Sequence, residues 1–151
     1  MLTYQQEEMH QFYADAQPLF HNHWEAVEKP QDDTPPSLDL AKYNALNDIG
    51  AVHITSAREE QHRVVGYVVY VLSNHLHHAS MELAEVSSYW LEPEFRRGRN
   101  GLELMMAAEV SLKALGVEKL ISKSKIGTRI ASLFAYMDFE PVEIVHAKRI
   151  A

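Results

Sequence analysis

The sequence predicts an α/β (α+β) domain in which helices cover the faces of a mixed sheet. Its 151 residues fit one domain with a sizeable core. Runs of β-branched and aromatic residues after Gly50 predict an antiparallel hairpin. Strand and helix patterns then alternate, an order that adds strands to a sheet and helices to its faces. We therefore expect a single domain over residues 1–151, with a helical part over 1–49 and the sheet over 50–147.

Two or three helices are expected in the first part of the chain. Apolar residues at mixed helical spacing predict one helix over Leu2–Ala14 and a shorter one over Leu19–Val27. The segment Lys29–Ser37 holds three prolines and two aspartates, which favours an exposed loop. A third short helix is expected over Leu38–Leu46.

Three strands follow. Ala51–Ser56 and Val64–Leu72 are separated by a polar turn, as in a hairpin, and Met81–Leu91 is the third strand. Pro93 ends this strand because proline has no N–H to donate to a ladder.

The strongest helix pattern covers Asn100–Leu115, where apolar residues recur every three or four positions. Met106 and Val110 widen its apolar face, so we expect it to be largely buried. Gly116 is placed to end it.

The remaining elements are a short strand, a helix and a last strand. These are predicted over Lys119–Lys123, Thr128–Met137 and Val142–His146, with Thr128 as the N-cap of the helix.

Composition excludes several classes of protein. The chain is 46% apolar and 23% charged with no cysteine, which argues against collagen-like, disulfide-rich and disordered proteins. We find no signal-peptide pattern or long apolar run and expect a soluble, cytoplasmic protein. The net charge of −7 disfavours nucleic acid and anionic membranes as partners.

The charge is unevenly distributed along the chain. Residues 1–60 hold three basic and eleven acidic side chains, whereas residues 94–130 hold eight basic and four acidic ones. A locally positive region in a negative protein suits a small anionic ligand.

The basic region contains a turn that opens the predicted helix. Such a turn offers unpaired N–H groups and the positive end of the helix dipole, which favour a phosphate group. Arg96, Arg97 and Arg99 add positive charge, and Gly98 and Gly101 allow close approach of the backbone. A basic surface turn without a ligand is an equally simple interpretation.

This region resembles the acetyl-CoA-binding motif of the GNAT superfamily, the Gcn5-related N-acetyltransferases. Ala84-Glu85-Val86 is similar to the family's signature strand, and Leu91-Glu92-Pro93 to its V-x-P. Arg96 to Gly101 resembles the turn Q/R-x-x-G-x-G/A, except that Arg99 replaces the middle glycine. Ala131 to Phe139 resembles a further family segment that packs beside the cofactor. The early helices, the NHLHHAS segment and Arg99 look most like members encoded by bacteriophages.

The resemblance implies the GNAT acyl-CoA N-acyltransferase fold and acetyl-CoA as co-substrate. Backbone N–H groups of Tyr89 and Leu91 would hold the pantetheine and polarise the thioester carbonyl. The pyrophosphate would lie on the turn, whose residues are Arg96, Arg97, Gly98, Arg99, Asn100 and Gly101.

The resemblance also implies catalytic residues. Glu85 would be the base that takes a proton from the attacking amine, its alternative being a solvated strand glutamate. Phe134 stands where the family has a tyrosine that protonates the leaving thiolate, and a phenyl ring cannot donate a proton. Tyr136 is the nearest alternative acid, although helical geometry directs it elsewhere. Ser87 and Ser88 are further polar candidates.

The nine histidines do not predict a metal site, since no cysteine or helical histidine pair accompanies them. His75, His77 and His78 either line the entrance for the acceptor or form a solvated hairpin. The acidic, aromatic first third suggests a cationic amine as acceptor. The predicted function is therefore acetyl transfer to a primary amine of a small molecule or protein. The alternative is a non-catalytic GNAT-fold protein that binds a protein partner, and a homodimer is a further expectation.

Overall fold

The computed structural model describes residues 1–30 and 32–151. Its centre is a five-stranded mixed sheet in the order β1-β2-β3-β4-β5, with β5 parallel to β4 and the other neighbours antiparallel. The strands are β1 (Thr3–Glu7), β2 (Val52–Arg58), β3 (Val64–His75), β4 (His78–Leu91) and β5 (Lys119–Ile121). The helices are α1 (Met9–His23), α2 (Leu40–Asp48), α3 (Asn100–Ala114) and α4 (Ile130–Tyr136). The predicted mixed α/β class is confirmed.

The first predicted helix is wrong at its start, because residues 3–7 form a strand. Leu2 and Tyr4, two positions apart, pack on the core, while Glu7 is buried against Arg58 of β2. This spacing of two is typical of a strand. It is hard to recognise in the sequence because the segment is short and mostly polar.

The two predicted early helices are one helix. Helix α1 continues through Pro18 and then into a π-helical turn, Trp24–Glu28. Buried Phe12 and Leu19 lie on either side of the proline and pack on the same core. This shared burial offsets the single N–H that proline removes.

The core has two layers, one on each face of the sheet. On one face α3 and α4 cover alternate strand residues such as Val68, Tyr70 and Val86. On the other, α1 covers Tyr67, Val69 and Trp90. The sheet therefore separates two chemically different surfaces.

Helix α3 matches its predicted bounds closely, and Gly116 ends it at φ +90°. Its apolar face is narrower than expected: Met106 and Val110 are 45% and 69% exposed. The buried residues of this helix are Leu104, Met105, Ala108 and Leu112, which pack in the core.

Two predictions for the end of the chain are wrong. Arg129, not Thr128, is the N-cap of α4, since the Thr128 hydroxyl donates to the Lys125 carbonyl instead. Val142–His146 forms no strand, and Val142 and Ile144 are exposed. A strand needs a neighbour with free backbone groups, and β5 spans only three residues.

Strand β4 is irregular at its middle. Val69 and Tyr70 of β3 pair with Ser88 and Val86, so Ser87 is an extra residue and forms a β-bulge. On the other side, pairing of β4 with β5 ends at Glu85 opposite Ile121. The two parallel strands are therefore unpaired beyond Glu85, next to the bulge.

No helix of the described residues has the length and apolar character needed to cross a membrane.

Candidate active site

The turn between β4 and α3 presents free backbone donors. A short 3₁₀ helix, Pro93–Phe95, leads into it, and α3 begins at Asn100. Within the described chain, no protein group accepts a hydrogen bond from the N–H groups of Gly98, Arg99, Gly101 and Leu102. Four such donors at the positive end of a 15-residue helix form a suitable cradle for a phosphate group.

The glycines and Arg99 occupy different backbone regions. Gly98 has φ +58°, a left-handed conformation that glycine adopts without strain. Arg99 has φ −105° and ψ 4°, which any residue tolerates. The arginine at the family's middle glycine position therefore causes no backbone strain here. A Cβ on Gly101 would lie 2.9 Å from the Tyr89 hydroxyl, so this position requires a glycine for close packing.

The basic side chains of the turn have different roles. Arg96 Nε donates to the Leu91 carbonyl at 2.6 Å, and its guanidinium lies 4.4 Å from the Trp90 ring centroid. Arg96 therefore fastens the turn to β4. Arg97 and Arg99 are exposed to solvent and place positive charge beside the free amides. Asn100 braces the turn through its Nδ2, which donates to the Phe95 carbonyl at 2.9 Å.

Tyr89 and Leu91 direct their backbone groups away from β3. Glu92 N–H donates to Val65 of β3 at 2.8 Å, so by strand alternation the N–H groups of Leu91 and Tyr89 face the opposite side. That side is where β5 no longer pairs. Both N–H groups therefore point into the gap beyond the end of the β4–β5 pairing.

The Tyr89 side chain turns toward α3 instead. Its hydroxyl lies 3.5 Å from the Gly101 carbonyl, and burial raises its pKa to about 12. The ring therefore packs the strand against the start of the helix.

Glu85 lies at the last position where β4 pairs with β5, two residues before the bulge. Its carboxylate forms an ion pair with Lys123, and its side chain is half-exposed. The carboxylate is therefore accessible to a small molecule that enters beside β4.

The two aromatic candidates of α4 separate. Phe134 is 7% exposed in the core and packs against Phe139 at 5.3 Å between ring centroids. Tyr136 is 68% exposed on the opposite side of this short helix. Among the described residues, no hydrogen bond joins Tyr136 to Glu85.

A pocket opens on the α1 face of the sheet. It has a volume of about 180 Å³ and lies between α1, the π-helical turn, α2 and the bulge of β4. Its wall is mainly apolar and aromatic. The lining residues are Met9, Phe12, Phe20, His23, Trp24, Glu28, Pro36, Leu38, Tyr43, Tyr67, Val69, Ser87 and Ser88. We call this the aromatic pocket.

A buried histidine at the base of this pocket was not identified from the sequence. His23 Nδ1 lies 2.7 Å from the Tyr67 hydroxyl, and the imidazole stacks on Trp90 at 5.1 Å. Burial lowers the pKa of His23 to about 4, so the ring is neutral near pH 7. Its helical spacing from Phe12 and Leu19 was the available signal, since these positions share one face of α1.

The histidine hairpin lies away from this pocket. His75 and His78 sit at the β3–β4 turn, and His78 precedes Ser87 by nine residues, about 30 Å along a strand. Neither residue lines the aromatic pocket. Among the described residues no cluster of three or more histidine or carboxylate groups is suited to a metal ion.

Comparisons with known proteins connect this geometry to a family. The model of the acetyltransferase (GNAT) family matches residues 8–136. No curated protein sequence matches the chain at the significance required of a relative.

Solved structures share the fold at low sequence identity. A ribosomal-protein-alanine N-acetyltransferase from Brucella melitensis has a TM-score of 0.78 at 12% identity, covering 100% of this chain and 99% of that one. An aminoglycoside acetyltransferase from a soil metagenomic sample, in complex with sisomicin, has a TM-score of 0.73 at 16% identity, covering 99% and 96%. A predicted acetyltransferase from Clostridium acetobutylicum, with acetyl-CoA, has a TM-score of 0.69 at 11% identity, covering 99% and 97%. These similarities confirm the predicted GNAT fold.

Proposed function

The chain belongs to the acetyltransferase (GNAT) family, and on that premise we propose that it is an acetyl-CoA-dependent N-acetyltransferase acting on a primary amine. The observation that carries the proposal is the set of free N–H groups at Gly98, Arg99, Gly101 and Leu102 beside the unpaired half of β4. Acetyl-CoA would supply the activated acetyl group.

The chain's own groups fit both ends of this substrate. The free amides of the turn, with Arg97 and Arg99 beside them, would bind the pyrophosphate. The outward N–H groups of Tyr89 and Leu91 would donate to the pantetheine and to the thioester carbonyl oxygen. Phe134 would support the cofactor side from within the core and contribute no proton.

Direct attack by the amine needs one base. The amine nitrogen forms a bond to the acetyl carbon, the carbon–sulfur bond breaks, and the thiolate leaves with the electron pair. The proton lost by the amine would pass to the Glu85 carboxylate, directly or through water, and a proton from water would complete the thiol. His23 is a poorer candidate for this base, because its imidazole is buried, its Nδ1 lies 2.7 Å from the Tyr67 hydroxyl and the ring stacks on Trp90. Tyr136, exposed at 68%, is not required in this scheme.

Calorimetry with acetyl-CoA tests the proposal first. We expect a dissociation constant in the micromolar range and release of free thiol when a reactive amine is added. No heat of binding at high micromolar acetyl-CoA would overturn the proposal. It would favour the alternative, a GNAT-fold protein that only binds a partner.

Substitution of the base is the second test. Glu85→Gln should lower kcat by about 10²-fold or more with little change in the acetyl-CoA dissociation constant. Glu82→Gln is a matched control on the same strand, where the Glu82 carboxylate accepts a hydrogen bond from Asn74. Equal rates for Glu85→Gln and the wild type above pH 7 would exclude Glu85 as the base.

Other expectations remain predictions. A cytoplasmic location, a bacteriophage origin, a homodimer and a single domain over 1–151 belong to this proposal and need separate measurement.

A further inference from the structure

We infer that the aromatic pocket binds the body of the acceptor, and that this acceptor is a primary amine on a short chain attached to a single aromatic ring. This inference rests on the proposed acetyl transfer and names its substrate class. It narrows the cationic amine that the acidic, aromatic first third of the sequence suggested to one that carries a single aromatic ring.

The size of the pocket sets the size of the group inside it. A cavity of about 150 Å³ in an engineered protein accommodates benzene. The aromatic pocket, at about 180 Å³, therefore holds one six-membered ring with a short chain. A ligand of several sugar rings would leave most of its surface outside.

The chemistry of the wall favours an aromatic ring. Phe20 lies edge-on to Tyr67 with 5.9 Å between ring centroids, and Phe12 contacts both rings. Trp24 and Tyr43 complete the enclosure from the π-helical turn and α2. Aromatic rings prefer such edge and offset contacts with another ring.

The charges around the pocket disfavour a polycation. Among the described lining residues the only carboxylate is Glu28, and Lys125 Nζ lies 2.7 Å from it. Two other acidic side chains of the first third, Glu7 and Asp15, bind Arg58 instead. Among the described lining residues, no carboxylate is therefore left unpaired for a polycation.

The polar end of the pocket fixes the direction of the amine. Ser87 and Ser88 lie at the bulge, where β4 stops pairing with β5, and the Tyr43 hydroxyl is 3.4 Å from Ser87 Oγ. These oxygens are the groups available to an amino nitrogen, whereas the apolar wall takes the ring. Weak polarity also favours the neutral amine, which is the form that attacks.

A short loop contributes two lining residues to the pocket, Pro36 and Leu38. Trp24 Nε1 donates to the Thr34 carbonyl at 2.8 Å, which fastens this loop to the π-helical turn. Leu38 is therefore a pocket residue that can be changed without altering the core.

The test compares amines with the intact protein. We expect kcat/KM for 2-phenylethylamine to exceed that for spermidine and for the aminoglycoside neamine by at least tenfold. A tetrapeptide with an N-terminal phenylalanine should react more slowly than 2-phenylethylamine. Faster acetylation of spermidine, neamine or the peptide would overturn the inference while leaving the proposed function standing.

A pocket-filling variant supplies a readout independent of chemistry. Leu38→Trp should weaken calorimetric binding of 2-phenylethylamine to the CoA-bound protein by at least tenfold, with acetyl-CoA affinity unchanged. Val110→Trp, on the exposed face of α3, is the matched control and should bind the amine as the wild type does. Equal binding by Leu38→Trp and the wild type would overturn the inference. Pocket-dependent binding without any acetyl transfer would support the inference and contradict the proposed function.

Discussion

At the scale of single residues, Arg58 organises a buried ionic network. Its Nε donates to Glu7 and its Nη2 donates to Asp15, both at 2.7 Å. Its Nη1 donates to the His62 carbonyl at 2.6 Å. His62 has φ +63°, so the guanidinium also holds a strained turn. Burial alone would raise the pKa of Glu7, but hydrogen bonds from Arg58 and Ser56 lower it below its ordinary value.

Removal of Glu7 should leave the buried Arg58 charge compensated only by Asp15, whose side chain is partly exposed. We expect Glu7→Gln to lower the free energy of unfolding by about 3 kcal/mol, measured by urea denaturation. Glu60→Gln, in an exposed ion pair with the N-terminus, is the control and should change it by less than about 0.5 kcal/mol. A loss for Glu7→Gln no larger than the control would contradict the network's role.

His23 predicts a pH dependence of stability. Its folded pKa of about 4 is below the ordinary 6.5, so the unfolded chain takes up a proton first as the pH falls. The stabilisation is complete above pH 6.5 and is lost between pH 6.5 and about 4, amounting to about 3 kcal/mol. His23→Gln should lack this loss in denaturation curves at pH 7 and pH 4.5. His10→Gln, at an exposed position, should keep the loss of stability. An equal loss between pH 7 and pH 4.5 in all three proteins would exclude His23 as its source.

At the scale of elements, the sequence predicted best those strands and helices that bury many apolar residues. The β2–β3 hairpin, β4 and α3 carry long periodic patterns and were predicted near their observed bounds. Strand β1 was missed because its pairing with β2 depends on a segment about 50 residues away, which local spacing does not reveal. The strand predicted over Val142–His146 failed for the related reason that the neighbour it needs, β5, is short.

The candidate site shows the same division. The turn from Arg96 to Gly101 was predicted as a phosphate site because its arginines and glycines belong to one local element, and that role stays a prediction. The acidic, aromatic first third was predicted as the acceptor region, but the residues that form the aromatic pocket were not predicted, because Trp24, Tyr43 and Ser87 come together only through tertiary packing. The ion pair between Glu85 and Lys123 likewise joins residues distant in sequence.

The left-handed glycine of the turn gives a prediction for acetyl-CoA. Gly98→Ala places a Cβ at φ +58°, with no atom within 4 Å, so the effect should come from backbone strain of about 1 kcal/mol. We expect the acetyl-CoA dissociation constant to rise about fivefold as the turn relaxes. Gly50→Ala imposes similar strain at φ +70° in the α2–β2 turn and should not alter it. Equal dissociation constants for Gly98→Ala and Gly50→Ala would show that the turn does not bind the substrate.

Close packing at the start of α3 gives a second prediction for acetyl-CoA binding. Gly101→Ala brings its Cβ within 2.9 Å of the Tyr89 hydroxyl, which should shift the helix start and weaken acetyl-CoA binding in calorimetry. Removal of that hydroxyl in Gly101→Ala/Tyr89→Phe should restore most of the affinity. A double variant as weak as Gly101→Ala would mean that the Cβ itself blocks the substrate.

At the scale of the whole molecule, the sheet separates the two proposed substrate sites. The free amides lie at the start of α3, which packs on one face, whereas the aromatic pocket lies under α1 on the other. Between the two sites, β4 bulges at Ser87 and separates from β5. On the proposed assignment, each ligand would therefore bind without displacing the other.

This arrangement predicts sequential kinetics. Because the chain has no cysteine, and because both ligands reach one gap from opposite faces, the acetyl group should pass directly from thioester to amine in a ternary complex. Double-reciprocal plots of rate against amine at several acetyl-CoA concentrations should intersect, and CoA should compete with acetyl-CoA but not with the amine. Protein incubated with acetyl-CoA alone should keep its mass after removal of the ligand. Parallel lines together with a mass gain of one acetyl group would instead require a covalent acetyl-enzyme and a nucleophile on the chain.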